Sequence, residues 1–154
     1  MRVTAFLAEE HVPFESMVHP PAFTATRRAR NLRVPGKQLA KCVLLAGPRF
    51  GGHVLAILPA THQVDLQKVA KALDGPVRLA QREEIPEIFR DCEWGALAPF
   101  GTLYGVPSLL DASFDPDSLL VFEAQLHACA IRMLCRDFER LEKPRRLSFA
   151  REHN

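Results

Sequence analysis

The chain of 154 residues is 47% hydrophobic and 25% charged, with a formal net charge of +2; this composition excludes disordered, collagen-like and coiled-coil classes. At this length one core can bury roughly 68–70% of the surface of the unfolded chain, so a single domain over 1–154 needs neither disulfide nor structural metal. The four cysteines, at 42, 92, 129 and 135, form no C-x-x-C pair and point to a reduced, cytoplasmic setting. The opening MRVTAFLAEEHVPF has two acids where a signal peptide needs apolar residues, and VLAILPA and SLLVF fall short of the roughly 18 residues of a membrane helix, so no membrane partner is expected.

Taken in chain order, the spacing of Val3, Phe6 and Leu7 predicts a helix over 3–10, stopped at His11-Val12-Pro13. A short strand, Phe14 to Val18, follows. His19-Pro20-Pro21 forces extended backbone, and Thr24 or Thr26 can cap a short helix through Leu32 before Val34-Pro35-Gly36 ends it. KCVLLAG from Lys41 and HVLAILPA from His53, joined across a Gly47–Gly52 turn, read as a hairpin at the sheet centre. Val64 to Leu73 is an amphipathic helix terminated by Asp74-Gly75-Pro76, followed by a strand from Val77 to Ala80 and a helix from Gln81 to Arg90. The apolar segment WGALAPFGTLYGVP is too punctuated by glycine and proline for a regular element. Strands Ser108 to Leu110, Leu119 to Glu123 and Ala128 to Cys135 precede a last helix from Arg136 to Lys143, and a solvated basic tail is expected from about 144. Short helices among clustered strands indicate an α/β (α+β) domain with a mixed, curved central β-sheet.

Charge is unevenly placed. No acid occurs between Glu15 and Asp65, whereas Arg27, Arg28, Arg30, Arg33, Lys37, Lys41 and Arg49 all fall there; residues 65–154 carry 15 acids against 12 bases. Such a stretch is either a solvated face or a set of phosphate contacts to a polyanion. The six histidines and four cysteines show no metal-ligand spacing, and neither a nucleophile elbow nor a phosphate-binding loop is present. Three features stand out. Lys41 opens an apolar strand, where it must snorkel or face a polar cavity. The loop from Gly95 to Gly101 has small residues that leave backbone N–H groups open to a carbonyl or oxyanion. His127 is a candidate hydrogen-bonding or acid–base group.

In combination these residues are more specific. His19-Pro20-Pro21-Ala22-Phe23-Thr24, Ala40-Lys41-Cys42-Val43-Leu44, Leu58-Pro59-Ala60 with Val64-Asp65-Leu66, Gly95 to Gly101, Leu110-Asp111 and His127 together resemble the YbaK and prolyl-tRNA editing-domain family over residues 3–143. The resemblance implies a free-standing, metal-independent aminoacyl-tRNA deacylase, without cofactor, that removes a small noncognate amino acid, alanine on tRNA(Pro) first among them. It implies Lys41, Gly95, Pro99 and His127 as the catalytic set, and His19, Phe23, Thr24, Ala98, Phe100, Gly101 and Asp111 as substrate-binding residues. Arg27, Arg28, Arg30, Arg33 and Lys37 become contacts to tRNA. Mischarged tRNA is then the partner, a synthetase is a second candidate partner, and DNA is not one. Water, assisted by the terminal hydroxyl of the tRNA, would attack the ester. Two positions depart from alanine-editing relatives: Gln125-Leu126 replace a glycine and a small polar residue, and Cys42 replaces an asparagine. A non-catalytic tRNA- or synthetase-binding module of the same fold is the competing reading, and a cysteine-dependent hydrolase is a third.

Overall fold

The computed structural model describes residues 2–18, 37–48 and 51–152. His19, Phe23, Thr24, Arg27, Arg28, Arg30, Arg33 and the helix expected through Leu32 lie outside these described residues.

Helix α1 (Arg2–Glu9) buries Val3 and Leu7, the positions that its spacing selects. Strand β1 (Glu15–Val18) leads into the described start of the hairpin, β2 (Leu39–Gly47) and β3 (Gly52–Pro59), which pair antiparallel from Ala40–Pro59 to Gly47–Gly52. After β4 (His62–Val64), α2 (Leu66–Leu73) begins at Asp65, whose carboxylate accepts from Gln67 N and Lys68 N and so satisfies two of the open N–H groups of the first turn. Then come β5 (Arg78–Leu79), the single-turn α3 (Ile85–Ile88), a 3-10 turn (Gly101–Tyr104), β6 (Ser108–Asp111), β7 (Leu119–Ala124), β8 (Leu126–Leu134), α4 (Cys135–Glu142), β9 (Arg145–Leu147) and β10 (Ala150–Glu152).

Among the described residues the main sheet has the order β1-β8-β7-β2-β3-β6-β9, with β5 added to β2; β4 and β10 form a separate pair. The sheet is mixed, since β2–β7, β3–β6 and β6–β9 run parallel and the other ladders antiparallel. Alternation along β2 divides its side chains. Ala40 and Leu44 enter the main core with Phe100, Phe122 and Phe138. Leu45 joins Val54, Leu58, Val69 and Phe149 in a second cluster, which α2 covers through Val69.

The C-terminal segment corrects the expectation of a solvated tail. Phe149 is fully buried, and Asp111 at the end of β6 accepts hydrogen bonds from Phe149 N (3.0 Å) and Ala150 N (2.9 Å). That anchoring fixes β9 beside β6 and β10 beside β4. The basic residues Arg145, Arg146 and Arg151 sit on these strands, Arg146 bonded to Glu139 and to the carbonyls of Ala112 and Phe114. The helix predicted over 81–90 is also shorter, because the Glu84 side chain caps the preceding turn instead of extending it: its carboxylate accepts from Gln81 N at 2.5 Å.

Candidate active site

The β2–β7 ladder is short. It pairs Leu39 with Val121 and Ala40 with Phe122, and then the strands part. Further along the same edge of β2, β5 pairs at Leu45–Leu79 and Ala46–Arg78, with Ala80 N bonded to the Leu44 carbonyl. Between the two ladders the β2 edge at Cys42 and Val43 is open, and the loop 94–97 faces it across a cleft of about 210 Å³. Its wall is apolar, with Leu44, Leu79, Ile85, Trp94 and Leu97 beside the edge of β2. That volume is below the usual range for drug-sized ligands and suits a small group. A larger hollow of about 380 Å³ at His53, Arg90 and Tyr104 touches none of the candidate catalytic residues.

The outer wall is tied down by charge. Glu84 accepts from both terminal nitrogens of Arg78 (3.0 and 3.2 Å) and lies 3.1 Å from His53 Nε2. These hydrogen bonds, led by Arg78, hold its carboxyl down at about 2. The network joins β5, the turn before α3 and β3, and so sets the distance between Leu79 and Ile85.

Gly95 and His127 meet at the mouth. Gly95 has φ +81°, the left-handed region that favours glycine, and a Cβ there would stand 3.3 Å from His127 Cε1. The strand register explains how His127 gets there. Glu123 pairs with Ala130, but Ala124 pairs with Leu126, so residues 127–129 bulge out of the β7–β8 ladder. The imidazole is then gripped on both sides: Nδ1 lies 3.2 Å from Glu123 Oε1, and Nε2 bonds the carbonyl of Trp94. Glu123, only 6% exposed, was not selected from the sequence. It follows Phe122, the last β7 residue of the ladder with β2, as Lys41 follows Ala40 on the facing strand. Lys41 is half-buried, and alternation places it on the face of β2 opposite Cys42. The bulge thus brings Glu123, His127 and Gly95 together, while Lys41 stands on β2, one residue before the Cys42 that lines the cleft.

The loop donates and hides different parts of itself. Ala96 N donates to the Glu93 carbonyl, while the N–H groups of Gly95 and Leu97 make no hydrogen bond to the described residues. Ala98, Pro99 and Phe100 are buried, and Phe100 packs edge-on to Phe6 and Phe122 with centroids 5.6 and 5.8 Å apart. Gly101 is buried against the Val106 carbonyl. The second half of the loop therefore anchors the first. Glu142 of α4 completes the anchor, accepting from Thr102 Oγ1 (2.8 Å), Thr102 N (3.3 Å) and Ser108 Oγ (2.6 Å). Burial raises its carboxyl above the ordinary value, and these donors partly offset the rise.

Other selected residues stand apart from the cleft. Asp111 uses its carboxylate on Ser113, Phe149 and Ala150, which makes it a structural clasp in this chain. Lys37 is exposed just before β2, beside Ser113 and Asp115. The replacement at 125 is accommodated inward. Gln125 has φ +70°, a conformation glycine adopts freely, and its side chain accepts from Val3 N (3.1 Å) and donates to the Asp91 carbonyl (3.2 Å). It ties α1 to the loop and leaves the cleft wall to Trp94 and Leu97.

The thiols of Cys42, Cys92 and Cys135 are not activated for attack. Burial pushes Cys42, Cys92 and Cys135 upward, Cys135 to about 11, so each stays protonated at neutral pH. Iodoacetamide at pH 7 is therefore expected to modify the buried Cys135 slowest of the four, to modify Cys42 only slowly, and to leave any hydrolytic activity within twofold of the untreated protein over that time, read by peptide mass mapping alongside the assay. Early alkylation of Cys42 with parallel inactivation would revive the cysteine hydrolase. Among the described residues there is no group of three or more His, Cys, Asp or Glu arranged to hold a metal, and no helix is long and apolar enough to cross a membrane.

Comparison with known proteins bears on the family and the fold. The aminoacyl-tRNA editing domain family matches residues 19–141. Among solved structures, a hypothetical protein superposes with a TM-score of 0.87 at 13% identity, covering 98% of this chain and 100% of that one. A proposed trans-editing enzyme for prolyl-tRNA synthetase superposes with a TM-score of 0.80 at 21% identity over 99% and 96% of the two chains. A proposed signal transduction protein from Marinobacter aquaeolei VT8 gives 0.72 at 21% identity, covering 97% of this chain but 30% of that one, so the fold also occurs within a longer protein. No curated protein matches. The mixed central sheet with short helices is thus a fold shared with the proposed trans-editing enzyme. The chain belongs to the aminoacyl-tRNA editing domain family.

Proposed function

We propose that this single domain is a deacylase that hydrolyses the ester of mischarged aminoacyl-tRNA bearing a small noncognate amino acid, with alanine on tRNA(Pro) the first candidate. The observation that carries the reading is the small apolar cleft with Gly95, held by His127, at its mouth and Lys41 on the adjoining strand. An aminoacyl ester is already activated, so a site that orients it and stabilises the developing oxyanion needs no protein nucleophile. In this scheme the aminoacyl side chain enters between Leu79, Ile85 and Leu97. Its carbonyl oxygen lies toward the N–H groups of Gly95 and Leu97. Water adds to the carbonyl carbon, the bond to the ribose oxygen breaks, and that oxygen leaves with the proton given up by the water. Lys41 supplies a fixed positive charge for the phosphate side of the terminal nucleotide, a role that suits a compact ammonium. Glu123 and His127 keep the Trp94–Gly95 peptide in place, which makes them positioning residues. The cytoplasmic setting follows from where such a substrate occurs.

The test is a deacylation time course with alanyl-, cysteinyl- and seryl-tRNA. Cleavage of one ester at least about tenfold faster than the others is expected, since one methylene or hydroxyl in a pocket this small separates substrates by roughly that factor. If all three esters survive while tRNA still binds, the domain is a binding module.

A further inference from the structure

Trp94 stands at the lip of the cleft beside Gly95 and is 54% exposed, a large aromatic surface left in water. It divides two hollows. On one side is the cleft with Gly95 and Leu97; on the other is a second apolar hollow of about 240 Å³, lined by Pro86, Phe89 and Arg82. The Arg82 guanidinium lies over the indole, 4.7 Å from its centroid. Arg82 lines only the second hollow, so the ring carries a cation on that side and nothing comparable on the side of the cleft. The backbone of Trp94 is fixed as well, since its carbonyl is bonded by His127.

We propose that Trp94 is a stacking platform for the base of the terminal adenosine of the tRNA acceptor end, with Arg82 backing the ring from the other side. This rests on the aminoacyl-ester reading of the cleft. The ester is attached to the ribose of that nucleoside, so once the aminoacyl group is in the cleft, the base must lie within one ribose of its mouth. Among the described residues Trp94 is the exposed aromatic there. A free base has unpaired π faces that an exposed indole can cover, whatever its sequence context. The acids Glu83 and Glu93, next in sequence to the turn and to Trp94, disfavour a bare anion at this spot and select a neutral ring.

Trp94 is the only tryptophan in the chain, so intrinsic indole emission reports on this position alone. The experiment titrates the full chain with uncharged tRNA ending in CCA and with the same tRNA lacking only its terminal adenosine. Saturable quenching of at least about twofold by the complete tRNA, and much less by the shortened one, is expected. In steady-state deacylation, Trp94→Ala should raise KM by about tenfold, as loss of one base stack does, with kcat changed less than threefold, and Trp94→Phe should recover most of the affinity. Equal quenching by both tRNAs, or no quenching at saturating tRNA, overturns the stacking role. So does a Trp94→Ala variant that binds as wild type. The two readings fail separately. Adenosine-dependent quenching with every ester intact removes the hydrolase and keeps the platform, whereas ester cleavage with unchanged emission does the reverse.

Discussion

Lys41→Ala is expected to deacylate the preferred mischarged tRNA at least about 100-fold more slowly than wild type under single-turnover conditions, with an unchanged melting temperature. The physical reason begins with the strand. A lysine flanked by Ala40 and Cys42 in an apolar β2 gives up part of its hydration, and at half burial that cost is small but constant. Its half-buried stem can be replaced by alanine without opening the core, so the fold is expected to stay intact. The charge is carried on a strand whose register is fixed by eight pairs with β3, from Ala40–Pro59 to Gly47–Gly52, so the point from which the side chain reaches out is set. A fixed charge at the substrate end acts on transition-state geometry as well as on binding, which is why kcat should fall with kcat/KM. Lys41→Arg should fail nearly as badly, because the planar fork is longer and demands different partners. The control is Lys68→Ala, exposed on α2, which should stay within about threefold of wild type. A Lys41→Ala rate within threefold of wild type would sink the positioning role.

What the sequence revealed, and what it hid, follows from the range of the interactions involved. Elements set by local rules were legible: the Val3–Leu7 face of α1, the Asp65 cap of α2, and the β2–β3 hairpin with its glycine turn. His127 was visible as a residue, but it was read as standing just before a strand. The structure puts it inside β8, in a bulge that only the mismatch of Glu123–Ala130 and Ala124–Leu126 pairing defines. Glu123 was missed for the same reason. Its local signal was present: a single acid closing the apolar run LLVF, four residues before a histidine. In a regular hairpin those two side chains need not meet, and the bulge is what joins them. The C-terminal strands were invisible because their reason for existing is 38 residues away, in the bond from Phe149 N to Asp111. Asp111 shows the converse error available to family reasoning, where a residue in the expected place has its oxygens already committed. The loop GALAPFG read as one functional unit, yet burial splits it. Gly95 is exposed at the cleft, Leu97 lines it from the edge of the core, and Ala98, Phe100 and Gly101 are buried away from it.

That division makes Gly101→Ala the substitution with the largest expected cost in stability, although nothing polar or charged is removed. A Cβ at this position would lie 2.3 Å from the Val106 carbonyl oxygen and 3.3 Å from Glu142 Oε2. The first is backbone and cannot rotate away; it is held by the Val106 N–H bond to the Gly101 carbonyl at 2.9 Å, which closes the 3-10 turn. The second is a buried carboxylate engaged with Ser108 and Thr102, so moving it breaks bonds that burial makes costly to lose. With no soft neighbour, the turn must shift as a unit, and overpacking of that kind costs about 3 kcal/mol, which for a chain of this size lowers the melting temperature by about 10 °C. Because Phe100 is locked between Phe6, Phe122 and Phe138, the shift is carried back toward Gly95, and ester cleavage should fall with stability even at temperatures where the variant is folded. Gly51→Ala is the contrast. Its φ of +72° penalises alanine by about 1–2 kcal/mol, but no atom lies within 4 Å of the new Cβ. Thermal melts of the two variants should therefore differ by about 5 °C, with Gly51→Ala the more stable and fully active. Equal melting temperatures would mean that the turn yields to the new Cβ at little cost and that the wedge between Val106 and Glu142 does not set the stability of Gly101→Ala.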